Sequence, residues 1–381
     1  MGNPAKPSSS PEKVEVDLSF RLLDRDDISE QEVSRALEFL HQAFGGWPHY
    51  DPGVPLADHL RWKMESPATP LAAAVGEHNG ELAVMSVFVT QRILIRGQEG
   101  LLLRYVDLAV GEDYRGLGVS TAFLKHFVAI LKDSYDLTFS DSTHAAVLRW
   151  GDKAGGRAVG NRQQGFILPI HLRRFAEQWS AKKRFRPPPL VVALGLRAFR
   201  GWRSLAGGRK NRPSLGAIVA IQRFDGRFDS FFEEAAKPFD LIQCRTSEHL
   251  NWRYRDPRGG PSNVWAHEDE TGSILGYVVT KVDQDRGYLA DLLTLPGRSD
   301  VAAVLVEAAV RGLAAAGCAS VTCLLPMHHP SSAVLRAQGF LSKPLNVINV
   351  YRNYSLLAEA LDFLSLENTS IHYTLGDSDG L

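Results

Sequence analysis

Short stretches of this chain occur twice, in the same order. "HLRW" at 59–62 returns as "HLNW" at 249–252, "VDL" at 106–108 as "ADL" at 290–292, and "AVLR" at 146–149 as "AVLR" at 333–336. Each match recurs roughly 190 residues further on, so the loops between matches differ little in length. Such a repeat restricts the fold strongly, because one unit of about 140 residues has to be built twice. The repeat divides the 381 residues into a disordered Pro/Ser-rich tail (1–16), a first unit (17–178), a basic linker (179–214), a second unit (215–354) and a C-terminal tail (355–381).

The two units read alike. "LAAAVGEHNGELAVMSVFVTQRIL" (71–94) is a strand, an Asn-Gly turn and a second strand, and "NVWAHEDETGSILGYVVTKV" (263–282) is its counterpart. An apolar strand follows, ending at Val110 or Thr294. A helix comes next, "STAFLKHFVAILKDS" or "DVAAVLVEAAVRGLAAAG", and then a short strand, "LTFSD" or "SVTCLLP". Strands alternating with helices give an α/β fold with a mixed sheet.

Composition narrows the function classes. Lys plus Arg and Asp plus Glu are both 43, which argues against a bulk nucleic-acid binder. Three cysteines without a C-x-x-C pair point to reduced thiols, with no zinc site and no disulfide framework. No signal peptide and no apolar run of about 18 residues is visible, so a cytoplasmic protein is expected.

The loop "EDYRGLGVS" (112–120) lies between a strand and a helix. A helix N-terminus offers orphan N–H groups and the positive end of its dipole, which suits a phosphate. Gly116 and Gly118 allow close backbone approach, and Arg115 adds a positive charge. With its context, "VDLAVGEDYRGLGVSTAFL" resembles the central motif of the GCN5-related N-acetyltransferases (GNAT), which use acyl-CoA. Tyr114, Arg115, Gly116 and Gly118 match that motif; Ser120 stands where Gly or Ala is usual. "HLNWRY" and "AVLRAQGF" are similar to features of the second halves of bacterial tandem GNAT proteins. The resemblance implies two tandem GNAT-like domains. It places the coenzyme A pyrophosphate on the N–H groups of Arg115, Gly116, Leu117, Gly118, Val119 and Ser120, and the pantetheine arm along Leu108, Ala109 and Val110. The second unit has "LTLPGRSDVAA" in place of this loop, with Asp300 near the helix start. A carboxylate there repels a pyrophosphate, so the second domain is expected to be degenerate and to shape the acceptor cleft.

Acyl transfer to an amine needs a proton acceptor. In amine-acetylating members an acidic residue in the position of Asp107 orients or deprotonates the acceptor; the alternative is a structural strand-end residue, since Asp291 recurs at the matching place. The tyrosine usual in that family as acid for the thiolate is missing from "THAAVLRWGDKAGG". Asp141 and His144 follow the strand "LTFSD" and are candidates for acceptor contact. His328 and His329 have no third ligand at metal-binding spacing, so no metal is expected. Residues 182–212 hold ten basic residues and no acidic one, with Val191, Leu194, Ala198, Trp202 and Leu205 on one helical face and Arg197, Arg200 and Arg203 on the other. Three readings stand: a peripheral anchor on an anionic membrane, a site for a charged acceptor or nucleic acid, or a plain linker helix. The end "TLGDSDGL" reads as a solvated terminus, with a folded-back contact to the cleft as the alternative. The whole chain reads as an acyl-CoA-dependent N-acyltransferase, with acetyl-CoA as donor and an amine such as an amino sugar or envelope-polysaccharide intermediate as acceptor. The alternatives are a FemAB-like transferase using aminoacyl-tRNA and a non-catalytic acyl-CoA-binding protein.

Overall fold

A computed structural model describes residues 16–140, 156–181, 188–192, 194–195, 216–345, 350–353 and 358–378. Residues 1–15 of the N-terminal tail, Asp141, His144 and every basic residue of 182–212 lie outside the described residues. The first half forms β1 (Ser19–Asp24), α1 (Glu30–Phe44), α2 (Leu56–Met64), β2 (Leu71–His78), β3 (Glu81–Ile95), β4 (Gln98–Val110), α3 (Val119–Leu131), β5 (Leu137–Ser140), β6 (Arg157–Ala158), β7 (Gln163–Pro169) and α4 (Leu172–Ala181). The second half forms β8 (Ala217–Ala220), α5 (Gly226–Ala235), β9 (Leu241–Gln243), α6 (Ser247–Tyr254), β10 (Asn263–Glu268), β11 (Ile274–Asp283), β12 (Arg286–Thr294), α7 (Ser299–Ala315), β13 (Ser320–Pro326), α8 (Ser331–Ala337), β14 (Leu341–Pro344), β15 (Val350–Asn353) and β16 (Ile371–His372).

Local sequence explains the main elements. Ser29 and Glu32 form a reciprocal capping box that starts α1, and Gly45, at φ 66°, ends it. Asn79 and Gly80 take positive φ, 53° and 83°, which a tight hairpin between β2 and β3 requires. In α3, Val119, Phe123 and Phe127 form one buried stripe and pack with Phe88 and Leu103 on one face of the first sheet. Val33 and Leu40 of α1 and Leu60 of α2 pack with Val75, Val87 and Val106 on the other face. With both faces covered, β3 is buried almost throughout, and its period-2 alternation is lost.

Two mixed sheets result. The first runs β1-β2-β3-β4-β5-β15-β6, with β9 pairing the far end of β3 and β16 pairing β9. The second runs β14-β7-β13-β12-β11-β10-β8. The halves therefore exchange strands. β7 of the first half lies between β13 and β14, with Phe166 opposite Cys323 and Ser342. β15 of the second half lies between β5 and β6.

Between the sheets the two repeated tetrapeptides meet. Trp62 of "HLRW" on α2 and Trp252 of "HLNW" on α6 stack at 5.2 Å between centroids and 22° between planes. Each indole N–H donates to the other tryptophan's carbonyl, at 2.8 and 3.0 Å. His59 stacks on Trp62 and has no exposed surface. Its Nδ1 faces the Arg258 carbonyl at 2.9 Å and must donate; Nε2, 2.9 Å from the Tyr50 hydroxyl, then accepts from it. Both ring nitrogens are satisfied in the neutral form. Burial, reinforced by repulsion from Lys63, Lys281 and Arg253, pulls the pKa of His59 from 6.5 down to about 4, against the pull of the Arg258 carbonyl. Among the described residues, no helix is long and apolar enough to cross a membrane.

A pH dependence follows from His59. Its folded pKa lies below the unfolded value, so on acidification the unfolded chain takes up this proton first. Stability contributed by the neutral ring is complete above pH 6.5 and is lost as pH falls towards about 4, by up to about 1.4 kcal/mol per pH unit. The buried His329 and His372, also shifted down by burial, add in the same direction. Urea midpoints measured from pH 7.5 to pH 4 should fall across this window; a flat profile contradicts the assignment.

Candidate functional site

The ladder between β3 and β4 is regular except at one place. Val87 pairs with Val106, and Met85 with Ala109, so Asp107 and Leu108 together face Ser86. This is a β-bulge, and Asp107 takes a left-handed φ of 50° within it. The Ser86 hydroxyl donates to the Val106 carbonyl at 3.0 Å and holds the kink. The bulge turns the Asp107 side chain towards α2, where the Lys63 ammonium donates to its Oδ2 at 2.6 Å. Lys63 is buried, and the Asp107 side chain keeps 12% of its surface exposed. This is a charge-assisted hydrogen bond in a partly desolvated place, which fixes the direction of the carboxylate.

On its other edge β4 is paired only briefly, ahead of the bulge. Among the described residues, β4 pairs with β5 only at Leu102 and Leu103. From Val106 to Val110, no strand pairs with that edge of β4 among the described residues. The edge leads into the glycine loop. Gly116 and Gly118 have φ of 81° and 84°, and a Cβ added at either would meet nothing within 4 Å. Gly118 is the N-cap of α3; no side chain caps it, and the first turn holds no acidic residue. The N–H groups of Arg115, Leu117 and Thr121 already donate to the carbonyls of Glu112, Tyr114 and Gly118, at 3.2, 3.4 and 3.0 Å, so of the six expected to hold a pyrophosphate Gly116, Gly118, Val119 and Ser120 remain for it. Arg115 is folded back: its guanidinium donates to the carbonyls of Ala43, at 2.6 Å, and Val110, at 3.4 Å. It braces the loop against α1 as well as carrying charge. Leu117 is exposed, while Ala109 and Val119 are buried in the sheet and helix they belong to.

On the α2 face, a small open pocket begins beside the bulge. Lys63, Val106, Gln91 and Arg104 line one side; Trp252, Arg253 and residues 376–378 line the other. Both halves therefore build it. The Gln91 side chain is buried, and its Oε1 has no hydrogen-bond partner among the described residues. Arg253 lies over the Trp62 ring at 5.2 Å and donates to the carbonyls of Gly376 (2.8 Å) and Ser378 (3.0 Å).

The corresponding places in the second half are closed. Arg298 makes a bidentate pair with Asp300, at 2.9 and 2.7 Å, over the first turn of α7. Asp291, at the bulge of β12, is 1% exposed. It accepts from the Tyr277 hydroxyl at 2.8 Å and from Arg245 Nε at 3.4 Å. Burial by itself raises an acid's pKa, but Arg245 and His372 overcome it, and Asp291 stays well below the usual carboxylate range. His372 Nε2 donates to Asp291 at 3.2 Å, so its Nδ1 accepts from His329 Nε2 at 2.9 Å, and His329 Nδ1 accepts from the Ser331 N–H at 3.1 Å. His329 therefore belongs to a buried relay of neutral rings.

One expectation is overturned. The end of the chain is not solvated up to residue 378. Asp377 is buried and accepts from Arg245 Nη2 at 2.6 Å, and its neighbours form a pocket wall. A cluster of opposite charges far apart in sequence outweighs the polar composition of "TLGDSDGL". Sequence reasoning also missed Lys63 and Arg253. A signal existed, because a basic residue follows each copy of the repeated tetrapeptide.

No family model matches the sequence, and no curated protein does. Similar solved structures include a probable N-acyltransferase of unknown function from Enterococcus faecalis V583, at 14% identity and a TM-score of 0.60, over 89% of this chain and 73% of that one. N-myristoyltransferase of Saccharomyces cerevisiae, solved with bound myristoyl-CoA, matches at 12% identity and a TM-score of 0.56, over 91% of this chain and 81% of that one. A tandem GNAT protein of the clavulanic acid biosynthesis pathway matches at 14% identity and a TM-score of 0.53, over 89% of this chain and 99% of that one. With its bulged fourth strand and two sheets of one order, the chain has the fold of the GCN5-related N-acetyltransferases, with two GNAT-like sheets of which the second lacks the R-G-x-G loop.

Proposed function

We propose that this chain is an acyl-CoA-dependent N-acyltransferase, with acetyl-CoA as donor and a primary amine such as an amino sugar as acceptor, and that the donor occupies the first half. The observation that supports this most is the β4 edge from Val106 to Val110, which pairs with no strand among the described residues, running into the open glycine loop at α3. The edge can take the amides of a pantetheine arm as it would take a strand, and the free N–H groups of the α3 start suit a pyrophosphate. The thioester then lies beside the bulge, across from the pocket that both halves line.

The chain's own groups have these roles in the reaction. The amine nitrogen attacks the thioester carbonyl; a C–N bond forms, and the C–S bond breaks with its electron pair leaving on sulfur. Asp107 takes the proton from the attacking amine, and Lys63 holds its carboxylate in direction. The coenzyme A thiolate takes a proton from solvent. Leu108, Ala109 and Val110 supply backbone to the donor, and Arg115 keeps the loop against α1.

Three outcomes are expected. Gly118→Asp has room for its side chain but puts a charge at the start of α3; calorimetry should show acetyl-CoA binding lost with the circular dichroism spectrum unchanged, whereas retained affinity defeats the loop assignment. Asp107→Asn keeps a side chain that tolerates positive φ and still accepts from Lys63; kcat should fall about 10²- to 10⁴-fold with the acetyl-CoA dissociation constant unchanged, and a wild-type rate returns Asp107 to a structural role. Leu190, Val191 and Leu194 are exposed, which supports peripheral contact of 182–212 with an anionic membrane. Flotation with anionic but not neutral vesicles, lost at high salt, is expected; no flotation with either makes this stretch a plain linker.

A further inference from the structure

Arg245 and Asp291, buried charges of the second half, do not line the pocket, yet they hold something that does. Arg245 is 2% exposed and makes three directed bonds: Nη1 to the Gln243 carbonyl at 2.7 Å, Nη2 to Asp377 at 2.6 Å and Nε to Asp291 at 3.4 Å. Asp377 also accepts from the Thr374 N–H at 2.8 Å. Two residues earlier, β16 pairs in parallel with β9, Ile371 opposite Leu241 and His372 opposite Ile242. On the far side, Arg253 ties down the carbonyls of Gly376 and Ser378. The segment 371–378 is thus held at its start by strand pairing, in its middle by a buried carboxylate and at its end by a guanidinium. Its end, residues 376–378, forms the pocket wall opposite Lys63 and Gln91.

We propose that the second half acts on the reaction of the first through this clamp: Arg245, anchored on Asp291, is a positioning residue that fixes 371–378, with its end as the acceptor-side wall, and so sets acceptor affinity. The aspartate of the second bulge then has a mechanical use in place of a chemical one. The proposal rests on the acyltransferase reading for its consequence, but not for the clamp itself.

Gly376 offers a test that leaves every charge in place. A Cβ there would run into the Tyr254 hydroxyl, while the Ala290 carbonyl oxygen and Tyr254 Cζ stand at 3.1 Å. Gly376→Ala should lift the segment, and a second change, Tyr254→Phe, should let it back. Hydrogen exchange at amides 371–378 in the full chain reads the clamp whatever the reaction. Steady-state acetylation of glucosamine by acetyl-CoA reads its consequence. In Gly376→Ala, exchange should quicken and the KM for glucosamine should rise about 10- to 100-fold, with kcat and the acetyl-CoA dissociation constant within about twofold of wild type. The double variant should restore both, and Asp377→Asn should resemble Gly376→Ala if the latter does not fold. Unchanged exchange overturns the clamp; quickened exchange with unchanged KM, or a fall in kcat alone, overturns its effect on the acceptor. If wild-type protein binds acetyl-CoA but does not acetylate glucosamine, the acceptor reading fails and the exchange data alone decide the clamp.

Discussion

Two strands, each inserted into the other half's sheet, constrain everything else in this chain. β7 completes the second sheet and β15 the first, each inserted between two strands of the other half. A strand in that position supplies hydrogen bonds on both edges, so neither sheet can be satisfied without the other half present. The stacked Trp62 and Trp252, with their reciprocal N–H donations, then occupy the seam that the exchange creates. The candidate acceptor pocket opens along the same seam. Its two-sided lining is a result of the topology rather than of two finished domains that happen to touch.

Within that frame the halves have diverged at matching places. Both fourth strands carry a bulge and an aspartate near it. Asp107 keeps some exposure and one cationic partner; Asp291 is sealed among Arg245, Tyr277 and His372. Both long helices start after a glycine-bearing turn, but α3 begins open and α7 begins under the Arg298–Asp300 pair. Loss of an anion site and sealing of a carboxylate go together in the second half, and the freed interior holds the clamp for 371–378.

The sequence was most readable where local physics decides. Asn79-Gly80 announces its hairpin because few other pairs tolerate two positive φ values in succession. The stripe Val119, Phe123, Phe127 announces α3, and Gly116 with Gly118 announces the loop that precedes it. The bulge was not readable, because an extra residue in a strand leaves the apolar pattern almost intact on either side. Nor was the exchange. The short apolar run Phe166–Leu168 was not read as a strand, and the neighbours of Phe166, Cys323 and Ser342, are chosen by contacts over 150 residues away. Asp377 was misread for the same reason: its partner Arg245 is 132 residues distant, and composition near a chain end carries no record of it. Asp141 and His144, proposed from their place after β5, lie outside the described residues.

The position of β7 also changes what the basic stretch between the halves can be. Its two flanking strands, β7 and β8, belong to the same sheet, with β13, β12, β11 and β10 between them. At about 4.8 Å per step the chain has to travel about 24 Å across one sheet and return to it. A segment with both ends fastened to one rigid layer is a crossover, not a hinge. Lengthening it adds slack at little entropic cost and cannot swing the halves apart. Motion that opens the seam has to come from elsewhere.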